Sequence, residues 1–442
     1  MKKILVIGAG LSSASLIDYL LEQSSEQGWQ VTVGDMDIAM ATSKCHNHPN
    51  ARPIQFDIQN EKQRAEEIAA CDIVISLLPP MLHPLAAVDC VKLGKHLVTA
   101  SYVSPFMQDL HEEAVKKDII LLNECGLDPG IDHLSAMKVM DEIRERGGEI
   151  TSFRSYCGGL VAPEFDNNPW HYKFTWNPRN VILAGQATAQ FLKNGKIHYI
   201  TPQRIFSELE TIDLGEKGIY EAYANRDSLN YIIPYQLQSA TEVLRGTLRI
   251  PPFCEGWNVL VSLGLTDDSY KVDCNSLSYK NWVESYLPKG YNSINDYIKS
   301  ISINQETIRR IEQNIQWLGL YSEELIPNGL HTPAQIIQNL LARKWRLEPQ
   351  ELDMIVMHHI FEYEHQGRKR KSTSTLIVKG KDQLHTAMAQ TVGLPLGLAA
   401  KLILRNKIAA RGVIIPTQKE LYLPILSELE KYHIIFEENN EQ

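Results

Sequence analysis

The sequence predicts an α/β protein: an N-terminal doubly wound parallel sheet, then a mixed α/β region interrupted by an α-helical insertion. Three observations predict it. Apolar runs of about four to eight residues alternate with helical stretches through the first third. Strand-like segments with long connections run from residue 151 to about 253 and return near 353. Between them, from about residue 266 to 346, the text is polar and helix-patterned, as in NQETIRRIEQNIQWLGL.

The first run, KILVIGAG, ends in glycines and is followed by the helix-like LSSASLIDYLLEQSSEQG. VTVGD, ARPIQFD, CDIVISLLP, KHLVTAS and DIILLNEC then follow as strands separated by helices. Continuous apolar strands such as residues 73–78 suit a sheet covered on both faces. GAGLSS closes the first strand and opens a helix, the setting that a Rossmann dinucleotide fingerprint requires. Gly8 allows the tight turn, and Gly10 lets a pyrophosphate approach the helix N-terminus beside Leu11 and Ser12. Ser13 stands where glycine or alanine is usual, and is small enough for close helix packing.

Asp35 ends the second strand, about twenty residues beyond the glycines, where an acid hydrogen-bonds ribose hydroxyls. A carboxylate there repels a 2′-phosphate, so the cofactor expected is NAD in preference to NADP. The alternative is that Asp35 and Asp37 only stabilise a turn. Asp57 and Ile58 after the third strand, and Leu78 after the fourth, are further candidate cofactor contacts.

A chain of 442 residues exceeds one core. A net charge of −9 argues against a nucleic-acid partner. The basic run GRKRK, residues 367–371, reads as a solvated hairpin tip. Cys45, Cys71, Cys90, Cys125, Cys157, Cys254 and Cys274 include no C-x-x-C pair, so neither a disulfide framework nor a zinc cluster is expected. The N-terminal apolar run is too short for a signal peptide, and no segment reads as apolar over a bilayer-spanning length. The expectation is a cytoplasmic protein without a membrane partner. His358 and His359 are adjacent on a strand and point to opposite faces, which suggests no shared metal.

NECGLDPGIDH, residues 123–133, concentrates reactive side chains just beyond the sixth strand, at the sheet edge where ligands bind in such folds. Asp128 is a candidate proton-transfer group, and equally has the look of a helix N-cap with Pro129 at the first helical position. Asp132 falls in the first turn, where it complements the helix dipole. A metal held by Asp128, Asp132 and His133 is not expected. Tyr102 follows the fifth strand and is either a proton relay or a buried tyrosine with a satisfied hydroxyl. Cys157, beside glycines in YCGGL, is either a relay or an inert buried thiol.

TASYVSP, NECGLDPGIDHLSAMK, SYCGGLVAPE, NPWHYKFTW, NRDS, RGTLR and AMAQTVGLP occur in order over most of the chain. Together they closely resemble the L-glutamate-forming saccharopine dehydrogenases, least in the helical stretch. The resemblance implies an enzyme of lysine metabolism that interconverts saccharopine with glutamate and 2-aminoadipate 6-semialdehyde, using NAD or NADP. It implies a Rossmann domain over residues 1–128, with 390–442 packing back on it. A mixed α/β substrate and dimerisation domain then covers 129–265 and 347–389, and the helical insertion covers 266–346 in a homodimer.

By resemblance, Ser101, Leu127, Pro129 and Thr175 lie along the cofactor, and Asp128, Tyr102 and Cys157 carry the chemistry. Ser101, Tyr102, Asp128, Arg226, Thr247, Leu248 and Arg249 then contact the substrate. Saccharopine carries three carboxylates, and a guanidinium fork binds a carboxylate well. Trp170, Phe174 and Trp176 read as core or interface aromatics. Two rivals remain open: a relative reducing another imine, of lysine or a carboxylated polyamine precursor, and a non-catalytic NAD-binding protein.

Overall fold

Seven short strands form one parallel sheet in a computed structural model that describes residues 1–302 and 304–441. They are β1 (Lys2–Ile7), β2 (Trp29–Asp35), β3 (Ala51–Gln55), β4 (Ile73–Ser76), β5 (His96–Thr99), β6 (Ile120–Leu122) and a late strand, Gly412–Ile414. The order runs Gly412–Ile414, β6, β5, β4, β1, β2, β3, with every pairing parallel. Ile4, Val6, Val31, Val33, Ile73, Val74, Ile75, Leu97 and Val98 are all buried, as β-branched and apolar strands under two layers of helix must be. The chain winds outward from β1 in one direction and from β4 in the other. Their carboxyl ends therefore form the switch point where ligands bind in open α/β sheets.

This sheet belongs to a unit made of Met1–Glu149 and the segment from Tyr363 onward. The helix after β1, α1 (Ala14–Gln27), ends on Gly28 at φ 65°, a left-handed stop that glycine adopts without strain. Helix Ala387–Leu404 packs along α1. A Cβ on Gly393 would stand 2.9 Å from the Leu16 backbone nitrogen, and one on Gly397 would stand 2.6 Å from the Tyr19 ring. The close helix approach therefore rests on these two glycines. The same helix corrects one expectation: over 18 residues its mean hydropathy is 1.5, long and apolar enough to cross a membrane. It is 78% buried, the position of a core helix. In the basic run, Gln366 and Gly367 make the turn at φ 52° and 70°, and the cations begin the following strand, Arg368–Lys379.

The second unit is Ile150–Glu362. Its sheet is built on β7 (Glu149–Val161), followed along the chain by β8 (Ala189–Lys193), β9 (Lys196–Ile200), β10 (Glu210–Asp213), β11 (Ile219–Ala224) and β12 (Glu242–Arg249). β12 runs parallel to β7 and antiparallel to β11, which pairs with β10, while the β8–β9 hairpin joins β12 where Val243 faces Leu192. Helices Phe253–Ser262, Gln305–Leu318 and Pro333–Lys344 cover a core centred on Trp170, Trp257, Trp282 and Trp345.

Residues 171–176 (HYKFTW), which lie within the strand-like run expected from residue 151 to about 253, form no strand. Their alternation has another cause: Tyr172 and Phe174 lie 5.0 and 5.4 Å from the Trp345 ring, and Trp176 packs on the same core. The period-two pattern here comes from aromatic packing, which the pattern alone does not separate from a ladder.

Candidate active site

The glycine turn is tied down from both sides. Gly8, at φ 104°, donates to the Gly34 carbonyl at 2.8 Å, and a Cβ there would press on Leu77 at 3.3 Å. A Cβ at Gly10 would meet nothing within 4 Å, although its φ of −70° suits any residue. The protein itself does not need glycine at Gly10. The open space beside a helix N-terminus is what a pyrophosphate fills. The buried Ser13 hydroxyl donates to the Gly10 carbonyl at 2.8 Å, closing the 3₁₀ turn Leu11–Ser13.

Asp35 does more than wait for a ribose. One carboxylate oxygen accepts the Ala9 N–H at 2.7 Å and the other the Asp37 N–H at 3.0 Å, so it holds the glycine turn in place. Asp37 caps the helix Ile38–Cys45. Asp57 is exposed and accepts from Gln59, whereas Ile58 is buried in the sheet's core and Leu78 packs partly against it.

The loops beyond β5 and β6 carry Ser101, Tyr102, Leu127, Asp128 and Pro129. Ser101 lies 2.7 Å from Nε2 of His83, whose Nδ1 lies 2.8 Å from the Ser76 hydroxyl. Burial pushes the His83 imidazole down to about 4, so it is neutral at ordinary pH. Glu124 and His133 are 6% and 0% exposed and meet at 2.8 Å, and the other Glu124 oxygen accepts the Val103 N–H at 3.0 Å.

The N-cap reading of Asp128 is corrected. The helix begins at Ile131 after Gly130, and the Asp128–Pro129 peptide is cis. Gly126 donates to the Pro129 carbonyl, and a Cβ on Gly130 would collide with Gly126, so the loop doubles back on itself. Asp128 and Tyr102 are half-buried, Leu127 and Pro129 buried. Asp132, in the helix's first turn, accepts the Gly130 N–H at 2.5 Å. Among the described residues no group of three or more His, Cys, Asp or Glu side chains is arranged to hold a metal.

In the second unit, Cys157 on β7 faces Thr247 on β12 in register, with Leu248 buried beside them. The adjoining Gly158 makes room for the Leu248 carbonyl, 2.7 Å from where its Cβ would stand, so that glycine serves strand packing. Arg249 is 4% exposed, with its guanidinium 5.1, 5.6 and 5.2 Å from the ring centres of Tyr172, Tyr223 and Phe253. Its Nε has no hydrogen-bond partner, and the buried hydroxyls of Tyr172 and Thr175 likewise lack one among the described residues. Glu221 lies opposite Arg249 on β11, accepts the Cys254 N–H at 2.6 Å, and is pushed up to about 7 by burial. Arg226 is exposed just past β11 at φ 47°, a left-handed conformation uncommon outside glycine.

The sequence reading missed His83, Glu124 and the aromatic cage around Arg249. A signal existed only for Glu124, a polar residue two positions past the end of β6.

The chain matches the saccharopine dehydrogenase NADP binding domain over residues 4–122 and the saccharopine dehydrogenase C-terminal domain over residues 126–435. It is 34% identical to the saccharopine dehydrogenase (NADP(+), L-glutamate-forming) of Schizosaccharomyces pombe, over 99% of both chains. The same identity and coverage hold for the Saccharomyces cerevisiae protein of that name. Identity is 33% to the mitochondrial alpha-aminoadipic semialdehyde synthase of Mus musculus, of which the chain spans 47%. The apo histidine-tagged saccharopine dehydrogenase (L-Glu forming) of Saccharomyces cerevisiae superposes with a TM-score of 0.90 at 33% identity, each chain fully covered. The Legionella pneumophila homospermidine synthase, at 11% identity and a TM-score of 0.58, shares the fold.

Proposed function

The chain belongs to the saccharopine dehydrogenase family, and on that premise we propose that it interconverts saccharopine and water with L-glutamate and 2-aminoadipate 6-semialdehyde. The observation that carries this reading is the match to L-glutamate-forming relatives along the whole chain. A nicotinamide dinucleotide, when bound, would supply the hydride acceptor for saccharopine oxidation and the hydride donor for the reverse direction. Gly8, Gly10 and the start of α1 would hold its pyrophosphate, and by resemblance Ser101, Leu127, Pro129 and Thr175 would complete its binding.

The residues of the chain then handle protons and carboxylates. Oxidation of the secondary amine leaves an imine. Its hydrolysis requires deprotonating a water, protonating the leaving nitrogen and collapsing the carbinolamine to aldehyde and glutamate. In this reading, which rests on the family resemblance, Asp128 and Tyr102 serve these transfers, with Cys157 as a further relay. Arg226 and Arg249, with Thr247 and Leu248 beside the latter, contact the substrate and its carboxylates. For Arg249 the support is a buried guanidinium ringed by Tyr172, Tyr223 and Phe253, with one N–H on the Leu248 carbonyl at 3.0 Å and its Nε without a hydrogen-bond partner among the described residues.

For the cofactor we propose NAD in preference to NADP, on the strength of the Asp35 carboxylate alone. The relatives' names specify NADP(+). Composition and resemblance carry the further proposal of a cytoplasmic homodimer, for which sedimentation is the check on assembly. Reduction of NAD or NADP by the purified chain, with saccharopine supplied and glutamate released, tests the activity. No reduction of either cofactor rejects it.

A further inference from the structure

We propose that Glu124 is a positioning residue that locks the Tyr102 loop to the Asp128 loop, with His133 as its anchor. This rests on the reading of Tyr102 and Asp128 given above. Glu124 stands immediately after β6 and its neighbour Asn123, at φ 55°, a left-handed conformation that a residue with a long side chain adopts only when its surroundings enforce it. Its backbone N–H donates to the Ser101 carbonyl at 3.0 Å, and one carboxylate oxygen accepts the Val103 N–H at 3.0 Å. The residue thus grips the chain on both sides of Tyr102. Its second oxygen reaches Nε2 of His133 at 2.8 Å, on the first turn of the helix that begins three residues past Asp128.

A carboxylate that is 6% exposed carries a desolvation cost, and a glutamine or an apolar pair would fill the same space more cheaply. What the carboxylate provides is direction. It accepts a backbone N–H from one loop and an imidazole N–H from the other, so a shift in either loop breaks a charge-assisted bond. Proton transfer tolerates little displacement of its groups, and a misplacement on the order of 1 Å costs up to about a hundredfold in rate. Glu124 therefore works through Tyr102 and Asp128 and moves no proton of its own.

A double-mutant cycle separates this from a structural role. Glu124→Gln, Tyr102→Phe and the double variant are assayed for saccharopine oxidation, with pH profiles and both Michaelis constants. In the native background Glu124→Gln should lower kcat roughly 10- to 100-fold, shift the kcat pH profile and leave the dinucleotide KM within about twofold. In the Tyr102→Phe background the same change should lower kcat at least about threefold less than it does in the native background, because one of the two groups it positions is already gone. Equal losses in both backgrounds, or a loss that only tracks the folded fraction with an unmoved pH profile, overturn the proposal. If Glu124→Gln does not fold, His133→Gln takes its place in the cycle with the same two outcomes. The underlying reading fails separately: Tyr102→Phe and Asp128→Asn would then both turn over at the native rate, whatever Glu124→Gln does.

Discussion

One imidazole spans two strand ends: Nδ1 of His83 sits 2.8 Å from the Ser76 hydroxyl at the end of β4, and its Nε2 sits 2.7 Å from Ser101 beyond β5. Buried and neutral, it can donate through one ring nitrogen and accept through the other, linking Ser76 on one side to Ser101 and Thr99 on the other.

Acid should expose this arrangement. The folded His83 holds its proton only near pH 4, against an ordinary value of 6.5, so between those values the unfolded chain binds more protons. The stability it contributes is whole above pH 6.5 and is lost as the pH falls toward 4, by about 3 kcal/mol at most. His83→Asn lacks the titrating group. Urea denaturation at pH 7 and pH 4.5 should find the variant less stable than the native protein at pH 7, with the gap narrowing at pH 4.5. A gap of constant size contradicts the burial argument.

Two glycines of the nucleotide unit should respond in opposite ways to the same methyl. Gly10→Ala places it in open space, so Tm stays within about 1 °C, while dinucleotide affinity drops roughly tenfold or more from the lost approach to the turn. Gly393→Ala places it 2.9 Å from the Leu16 backbone nitrogen and should cost about 1–3 kcal/mol in denaturant melts. Thermal melts of both variants with a dinucleotide titration of Gly10→Ala decide the matter.

Cofactor choice turns on charge at Asp35, which also holds the glycine turn through Ala9. Asp35→Asn keeps an oxygen for that N–H and removes the charge. The ratio of kcat/KM for NADP to that for NAD should rise about tenfold, the equivalent of about 1.4 kcal/mol. A native enzyme that already favours NADP would show that the 2′-phosphate is met elsewhere.

Arg226 should act on the substrate alone. Arg226→Gln removes a bidentate carboxylate donor and is expected to raise the saccharopine KM roughly 10- to 100-fold, with the dinucleotide KM within about twofold. Steady-state kinetics with each substrate varied in turn checks this. Parallel rises in both constants would remove Arg226 from substrate binding.

The legible parts of this molecule were those that local physics imposes. β1, the glycine turn and α1 could be read in place because apolar runs, glycines and helical periodicity are properties of neighbouring residues. The late strand Gly412–Ile414 could not, since its place beside β6 depends on a pairing almost 300 residues distant, through Val413 and Leu121. Residues 171–176 misled because aromatic packing on Trp345 imitates strand alternation. Asp128–Pro129 had the composition of a helix start, and the loop before Gly130 places the start two residues later than that reading. The role of Glu124 was hidden for a related reason: its partners, Val103 and His133, lie 21 and 9 residues away on opposite sides in the chain.

The glycine-lined seat of helix Ala387–Leu404 against α1, and the strand that follows it, set an order on synthesis. A ribosome delivers β1 to β6 long before the helix that covers α1 and the strand that borders β6. Through more than half of translation the emerging nucleotide unit thus shows an unpaired sheet edge and an uncovered helix face, the surfaces that chaperones bind and aggregates nucleate on. A nascent chain stalled before residue 387 should be captured by such factors, and release of the last few dozen residues should free it.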